Sequence, residues 1–309
     1  MERRRINIME VCPRDGWQNL SDYIPLEDKL EYITGMLEAG VRHMQIGSLV
    51  SPRAVPQMKD TGEIAGIILK QFPDRNFNAL VPNLKGAQSA WDNGLKEVSY
   101  IISVSESHNK ANIGRTHEES WAGLKQIRQV LPELKVIVSL CTVFGCPFEG
   151  EVPFAQVMKF VHQAVDLGIT KLEIADTIGV ADPAQVGRYF ATARKQYPQL
   201  TLYAHMHDTR NNGILNSWVA WESGADLIHT SLGGLGGCPF APGASGNTST
   251  EDFVWLLHRG NIDTGIDFEK IRAVARKMRA RVAGNYSGHH VALEKDVFEA
   301  ACRTQTAAA

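Results

Sequence analysis

The chain has 309 residues, 44% of them hydrophobic and 21% charged, enough for one large domain with a sizeable core. Its formal net charge of −2 argues against a nucleic-acid or anionic membrane partner, and the arginine run at 3–5 is too short to change that. No apolar run approaches the ~20 residues of a membrane span and the N-terminus lacks a signal-peptide core; the odd set of five cysteines (Cys12, Cys141, Cys146, Cys238, Cys302) suits free thiols in a reducing cytoplasm.

The first strand is expected at Ile6–Val11. It breaks at Pro13 and delivers Arg14 and Asp15 side by side before Gly16. An amphipathic helix follows over 25–40, with Pro near its start and Gly at its end. Strands are then expected at His43–Gly47, Phe77–Val81, Glu97–Ser103, Val136–Cys141, Lys171–Asp176, Leu202–Asp208 and Leu227–Leu232. Helical patterns fall between them at 54–71, 84–93, 118–131, 153–167, 183–196 and 212–223. The passages "LEAGVRHMQIG", "WDNGLKEVSYI", "VDLGITKLEIA" and "WESGADLIHTS" all read as a helix end, a Gly and a strand, a βα unit used repeatedly. Eight such strands predict an α/β fold, a (β/α)8 TIM barrel. An open doubly wound sheet is the competing arrangement, weakened because no GxGxxG follows the first strand. After the eighth strand comes a Gly-rich loop, then helical patterns at 249–258, 268–282 and 291–303. The expected organisation is one domain over 1–309, with about 260–303 as a C-terminal helical appendage and 304–309 as a disordered tail.

In such a barrel, function gathers at the C-terminal ends of the strands. The first ends in Arg14 and Asp15. The seventh ends in "HMHD", where His205 and His207, two apart, point to one face. Two imidazoles at a rim form a metal-ligand pair to which Asp15 and the amide oxygen of Asn247 can add oxygen ligands. The sixth ends in "EIADTIG", offering Asp176, which can hydrogen-bond a ligand, orient a neighbour or simply cap a turn. The second presents Gln45 and Ser48. The loop "GGLGGCPFAPGASGN" has little side chain besides Cys238, so it can lie over a ligand as a lid and carry one thiol to it.

Together "EVCPRDGWQN", "SLVSPRAVPQM", "VPNLKG", "SESHNKANIG", "GCPFEG", "ADTIGV", "HMHDT" and "GGLGGCPFAPGASGNTSTED" resemble the 3-hydroxy-3-methylglutaryl-CoA lyase family, in order, from about residue 6 to about 285. The resemblance implies a retro-Claisen cleavage of an acyl-CoA thioester, with a divalent ion (Mg2+ or Mn2+, with Zn2+ or Co2+ as alternatives) held by Asp15, His205, His207 and Asn247. It implies that Arg14 stabilises an enolate oxygen and that Cys238 is a general acid/base. Gln18, Asp176 and Glu251 match family positions in or beside the site. A homodimer in the cytoplasm is the expected setting.

Three departures bear on the substrate. Gln45 stands where the family usually has a glutamate, and an amide cannot take a proton near neutral pH. "HDTRNNG" replaces the usual "HDTYG", which is expected to put Arg210 beside the metal site. The basic residue that usually follows "QNE" is missing from "QNLSDYIP". Glu173 is a carboxylate able to compensate for Gln45, although strand alternation places it and Asp176 on opposite faces. A related aldolase or condensing enzyme acting on a different, more anionic hydroxyacyl substrate is the alternative; a non-catalytic metal-binding relative is a third.

Overall fold

The structure is a computed structural model that describes residues 4–237 and 246–293. Strands β1 (Asn7–Glu10), β2 (His43–Ser48), β3 (Asn76–Leu80), β4 (Glu97–Ser103), β5 (Lys135–Cys141), β6 (Lys171–Asp176), β7 (Thr201–Met206) and β8 (Leu227–Thr230) pair in parallel and in chain order. β1 also pairs with β8, closing the barrel. Around it run α1 (Leu26–Glu38), α2 (Thr61–Gln71), α3 (Leu84–Asp92), α4 (Glu106–Ile113), α5 (His117–Val130), α6 (Phe154–Asp166), α7 (Pro183–Gln196), α8 (Gly213–Glu222), α9 (Thr250–Arg259) and α10 (Phe268–Arg281). The expected (β/α)8 architecture is the one that forms. None of these helices is long and apolar enough to cross a membrane.

Local chemistry sets the helix ends. Reciprocal caps start α5 (Thr116 with Glu119) and α7 (Asp182 with Gln185, Pro183 in the first turn). α4 has no apolar stripe and was not anticipated. It forms because Ser105 accepts the His108 N–H, while Asn109 bonds the Ser103 N–H and the Arg115 carbonyl.

The barrel interior is of two kinds. Met9, Val11, Ile137, Tyr203 and Leu227 form one apolar cluster. Beside it lies a polar tier of Gln45, Asn78, Ser99, Ser139, Glu173, His205 and His229, all buried. Barrels filled for stability alone use branched aliphatic side chains in such tiers. Burying polar groups is costly unless they are paired, and many of these are. Gln45 Nε2 donates to Asn78 Oδ1 (2.9 Å), Ser99 Oγ lies 3.0 Å from Ser139 Oγ, and the Ser139 hydroxyl donates to Glu173.

The stretch expected as an appendage is partly integral. Met278 of α10 is buried beneath the β1 turn, 3.5 Å from Trp17 Nε1 and 3.9 Å from Cys12 Sγ. Positions 294–303 and the tail at 304–309 lie outside the described residues, as does Cys302.

Candidate active site

The turn after β1, Cys12–Gly16, is a single π-helical turn: the Trp17 N–H reaches the Cys12 carbonyl at 3.0 Å. Such widened turns recur at functional sites. Gly16 is required there, because a Cβ would lie 2.8 Å from Cys12 Sγ. The turn aims both charged side chains inward, leaving Arg14 and Asp15 only 7% and 5% exposed.

Asp15 meets the β7 pair at one point. Its Oδ2 lies 3.4 Å from His207 Nε2 and 3.7 Å from His205 Nε2, and the two Nε2 atoms are 3.3 Å apart. The His207 Nδ1–H donates to the Thr177 carbonyl at 2.6 Å, so that in the neutral imidazole Nε2 is the bare nitrogen and faces Asp15. Arg14 Nη1 donates to Asp15 Oδ1 and Arg14 Nε to Gln45 Oε1. Gln18 Nε2 also donates to Asp15 Oδ1 (3.0 Å). Burial works against the Asp15 charge, but Arg14 and the two histidines outweigh it and hold the carboxyl well below its usual range. Burial, together with His207, pushes His205 down to about 3. Burial also opposes a charged His207, yet the hydrogen bond and charge of Asp15 raise its pKa above the ordinary histidine value. The field at this point favours a cation. The three ligand atoms have the spacing of adjacent donors around one divalent ion, for which bonds near 2.1 Å put neighbours ~3 Å apart. The residues present therefore fit a divalent metal.

Asn247 arrives by a bridge to His207 and donates from Nδ2 to Asp15 Oδ2 (2.8 Å) and to the Leu235 carbonyl (3.2 Å). In this arrangement its amide nitrogen, rather than its oxygen, faces Asp15. Gly236 lets it approach: a Cβ there would stand 2.4 Å from Asn247 Nδ2.

The cluster opens into a cavity of about 470 Å³. Arg14, Asp15, Gln18, Ser48, Glu173, His205 and His207 line it beside an apolar wall that includes Val50, Leu80 and Ile101. Ser48 reaches the cavity because the β2 register shifts between Gln45 and Ser48. Its hydroxyl is buried without a partner among the described residues. Cys238 lies outside the described residues; Gly237, which precedes it, lines the cavity.

A family model described as HMGL-like matches residues 5–278. The chain belongs to the HMGL-like family. It is 37% identical over 275 residues to "Hydroxymethylglutaryl-CoA lyase YngG" of Bacillus subtilis (strain 168), covering 88% of this chain and 92% of that one. It is also 37% identical over 281 residues to "(R)-citramalyl-CoA lyase" of Chloroflexus aurantiacus, covering 87% and 89%. A crystal structure of the Bacillus subtilis HMG-CoA lyase superposes with a TM-score of 0.89 at 35% identity, covering 97% of this chain and 100% of that one. The HMGL-like protein is a carbon–carbon lyase.

Five anticipated site residues do not line the cavity: Gln45 and Asn247 still touch Arg14 and Asp15, whereas Asp176, Arg210 and Glu251 stand back from it. Asp176 does not line it: its carboxylate accepts the Val180 and Ala181 N–H groups, both at 2.9 Å, and so anchors the loop carrying Thr177. The anticipated opposite facing holds, because Glu173 faces inward. Arg210 is not beside the metal cluster; its guanidinium donates to the Ile178 and Gly179 carbonyls, each at 3.0 Å, tying down the turn after β6. This removes the reason for expecting a more anionic substrate on its account. Glu251 lies beneath the loop stem, its Oε2 accepting the Gly233 N–H at 2.9 Å.

Glu10 was missed. Its Oε1 accepts the Cys12 and Leu232 N–H groups (2.9 and 3.0 Å) and its Oε2 the Thr250 hydroxyl (2.7 Å), joining the β1 turn to the segment after β8 and to the start of α9. Burial pushes Glu10 up to about 7 and Glu251 up to about 8 from an ordinary 4.5. The folded state thus holds protons that the unfolded chain has released. The stability these groups contribute is fully present below the unfolded value and is lost as pH rises through about 7 to 8. The melting temperature should fall between pH 5 and pH 8. Glu10→Gln, which mimics the protonated acid and keeps an acceptor, should flatten that slope. An unaltered slope in this variant would count against the assignment.

Proposed function

We propose that the protein is a divalent-metal-dependent retro-Claisen lyase that cleaves a 3-hydroxy-3-methylglutaryl-CoA-like thioester to acetyl-CoA and a keto acid, acetoacetate for that substrate. The observation that carries this reading is the convergence of Asp15, His205 and His207 on one point of the cavity wall, with Arg14 beside them. Asp15, His205, His207 and the amide oxygen of Asn247, brought round by turning over the amide that now donates to Asp15, would hold the ion, with Mg2+ or Mn2+ preferred over Zn2+ or Co2+. Bound there, it supplies Lewis acidity and a template for the substrate's hydroxyl and carbonyl oxygens.

The chain's own groups do the rest. Transfer of the tertiary hydroxyl proton to Cys238, acting as the base in its thiolate form, lets the carbon–carbon bond break, its electron pair passing to the departing acyl-CoA enolate. Arg14, fixed by Asp15 and Gln45, meets the negative charge that develops on the enolate oxygen. Cys238 returns a proton to the enolate carbon. Asp176 positions His207 through the Thr177 loop. Ser48 offers its unpartnered hydroxyl to the substrate. The protein is proposed to act as a cytoplasmic homodimer, in keeping with the thiols of Cys12 and Cys146, which form no disulfide.

Incubating the purified protein with the thioester and Mn2+, with and without chelator, and identifying products by mass spectrometry tests the reading. Absence of metal-dependent acetyl-CoA release would sink it.

Gln45 supports a second reading, cleavage of a different hydroxyacyl thioester. Its amide bridges Arg14 and Asn78, so among the described residues Arg14 is paired with a single carboxylate, Asp15. Gln45→Glu would add a second one and reverse the hydrogen bond toward Asn78. The ratio of kcat/KM between 3-hydroxy-3-methylglutaryl-CoA and citramalyl-CoA should shift about tenfold or more, the effect of ~1.4 kcal/mol. An unchanged ratio, with the first thioester already cleaved efficiently, would remove the second reading.

A further inference from the structure

We infer that His229 and Glu173 are positioning residues for the metal centre, fixing which nitrogen of His205 carries its proton. The inference rests on the metal reading above. His205 stands between two groups of side chains. Its Nε2 faces His207 Nε2 and Asp15 Oδ2. Its Nδ1 faces His229 Nδ1 at 3.1 Å and Glu173 Oε1 at 3.9 Å. A neutral imidazole has one N–H and one bare nitrogen. For Nε2 to ligate a cation, the proton must sit on Nδ1, and the 3.1 Å contact is then N–H donating to His229.

His229 accepts at Nδ1 and therefore carries its own proton on Nε2, a buried atom without a partner among the described residues. Glu173, held by the Ser139 hydroxyl, has its oxygens 3.9 and 3.8 Å from the two Nδ1 atoms. That is too far for a hydrogen bond but close enough to favour the positive charge an imidazole N–H gains on coordination.

Glu173, His205 and His229 also have the spacing of a second metal site. One neutral imidazole cannot present bare nitrogens at both ends, so the geometry points to one ion per chain.

The test titrates metal-free protein with Mn2+ by calorimetry and records the visible spectrum of the Co2+ form. One Mn2+ should bind per chain. His229→Phe should weaken binding about 10- to 100-fold, and His229→Asn, which restores an acceptor near the Nδ1 position, should recover most of the loss. Glu173→Gln should give a smaller loss and an altered Co2+ spectrum. The inference alone falls if a folded His229→Phe protein binds Mn2+ as tightly as wild type, or if two Mn2+ bind and one is lost with His229. If His229→Phe does not fold, wild-type Mn2+ affinity and an unchanged Co2+ spectrum in Glu173→Gln overturn it. Failure of wild type to bind Mn2+, or indifference of binding to His207→Ala, sinks the metal reading and the inference together.

Discussion

His207→Ala is expected to abolish detectable thioester cleavage and to weaken Mn2+ binding by more than about 100-fold, beyond the usual loss for a residue that only supports a ligand. The side chain is buried and ordered at both ends, with Nδ1 bonded to the Thr177 carbonyl and Nε2 facing Asp15 and His205. No neighbour on its own strand can take its place, because alternation along β7 and the residue after it gives 205 and 207 the inward direction at this height. Alanine removes a nitrogen donor and leaves a void that water can fill, so the variant should still fold. Proton and metal compete for Nε2. Because the pKa of His207 is raised, apparent metal affinity should climb as pH rises through and above the ordinary histidine value of 6.5. Calorimetric titrations of wild type at pH 6 and pH 8 check the sign; tighter binding at pH 6 would contradict the ligand assignment.

Arg14→Met is expected to lower kcat by roughly 10²- to 10³-fold, the usual cost of losing a fixed donor to a developing oxyanion. KM should change far less, because the charge that Arg14 meets appears only as the bond breaks. Arg14→Lys should be nearly as damaging. One ammonium cannot both reach Asp15 Oδ1 and hold Gln45 Oε1, as Nη1 and Nε of the guanidinium do together. Arg14 is the main opposing charge that keeps the Asp15 carboxyl low, so Mn2+ binding should weaken modestly at low pH and remain intact near pH 8. A kcat near wild type with a greatly raised KM would show that Arg14 binds the ground state instead.

These two effects rest on residues that declared themselves differently in the sequence. His205 and His207 are legible because a two-residue spacing on a strand forces a shared face. Arg14 and Asp15 are legible because a strand broken by Pro13 has no structural need for an adjacent ion pair. Other residues gave no local signal. His229 sits in "LIHTS", where a single histidine on a buried strand resembles any core residue. Glu10 ends an alternating strand, and nothing near it in sequence shows the Leu232 N–H and the Thr250 hydroxyl that it accepts from beyond β8. Arg210 misled because nearness in sequence to His207 is not nearness in space. The chain turns after Met206, and the guanidinium reaches back to the carbonyls of the preceding loop.

Hydrophobic periodicity and recurring helix–Gly–strand joints were enough to determine eight βα units, and with them the rim on which the chemistry lies. Those signals are local: they depend on a residue's neighbours within one helical turn or one strand. Only closure of the barrel decided which side chains meet. It carries Asp15 across 192 positions to His207, and Glu10 across 240 to Thr250. It also turns Glu173 toward His205 while fastening Asp176 to its own loop. The reason is that a parallel barrel brings its first and last strands together. Hydrogen bonds inside it are then chosen by register and tier height, quantities set jointly by all eight strands and written in no single stretch of the chain.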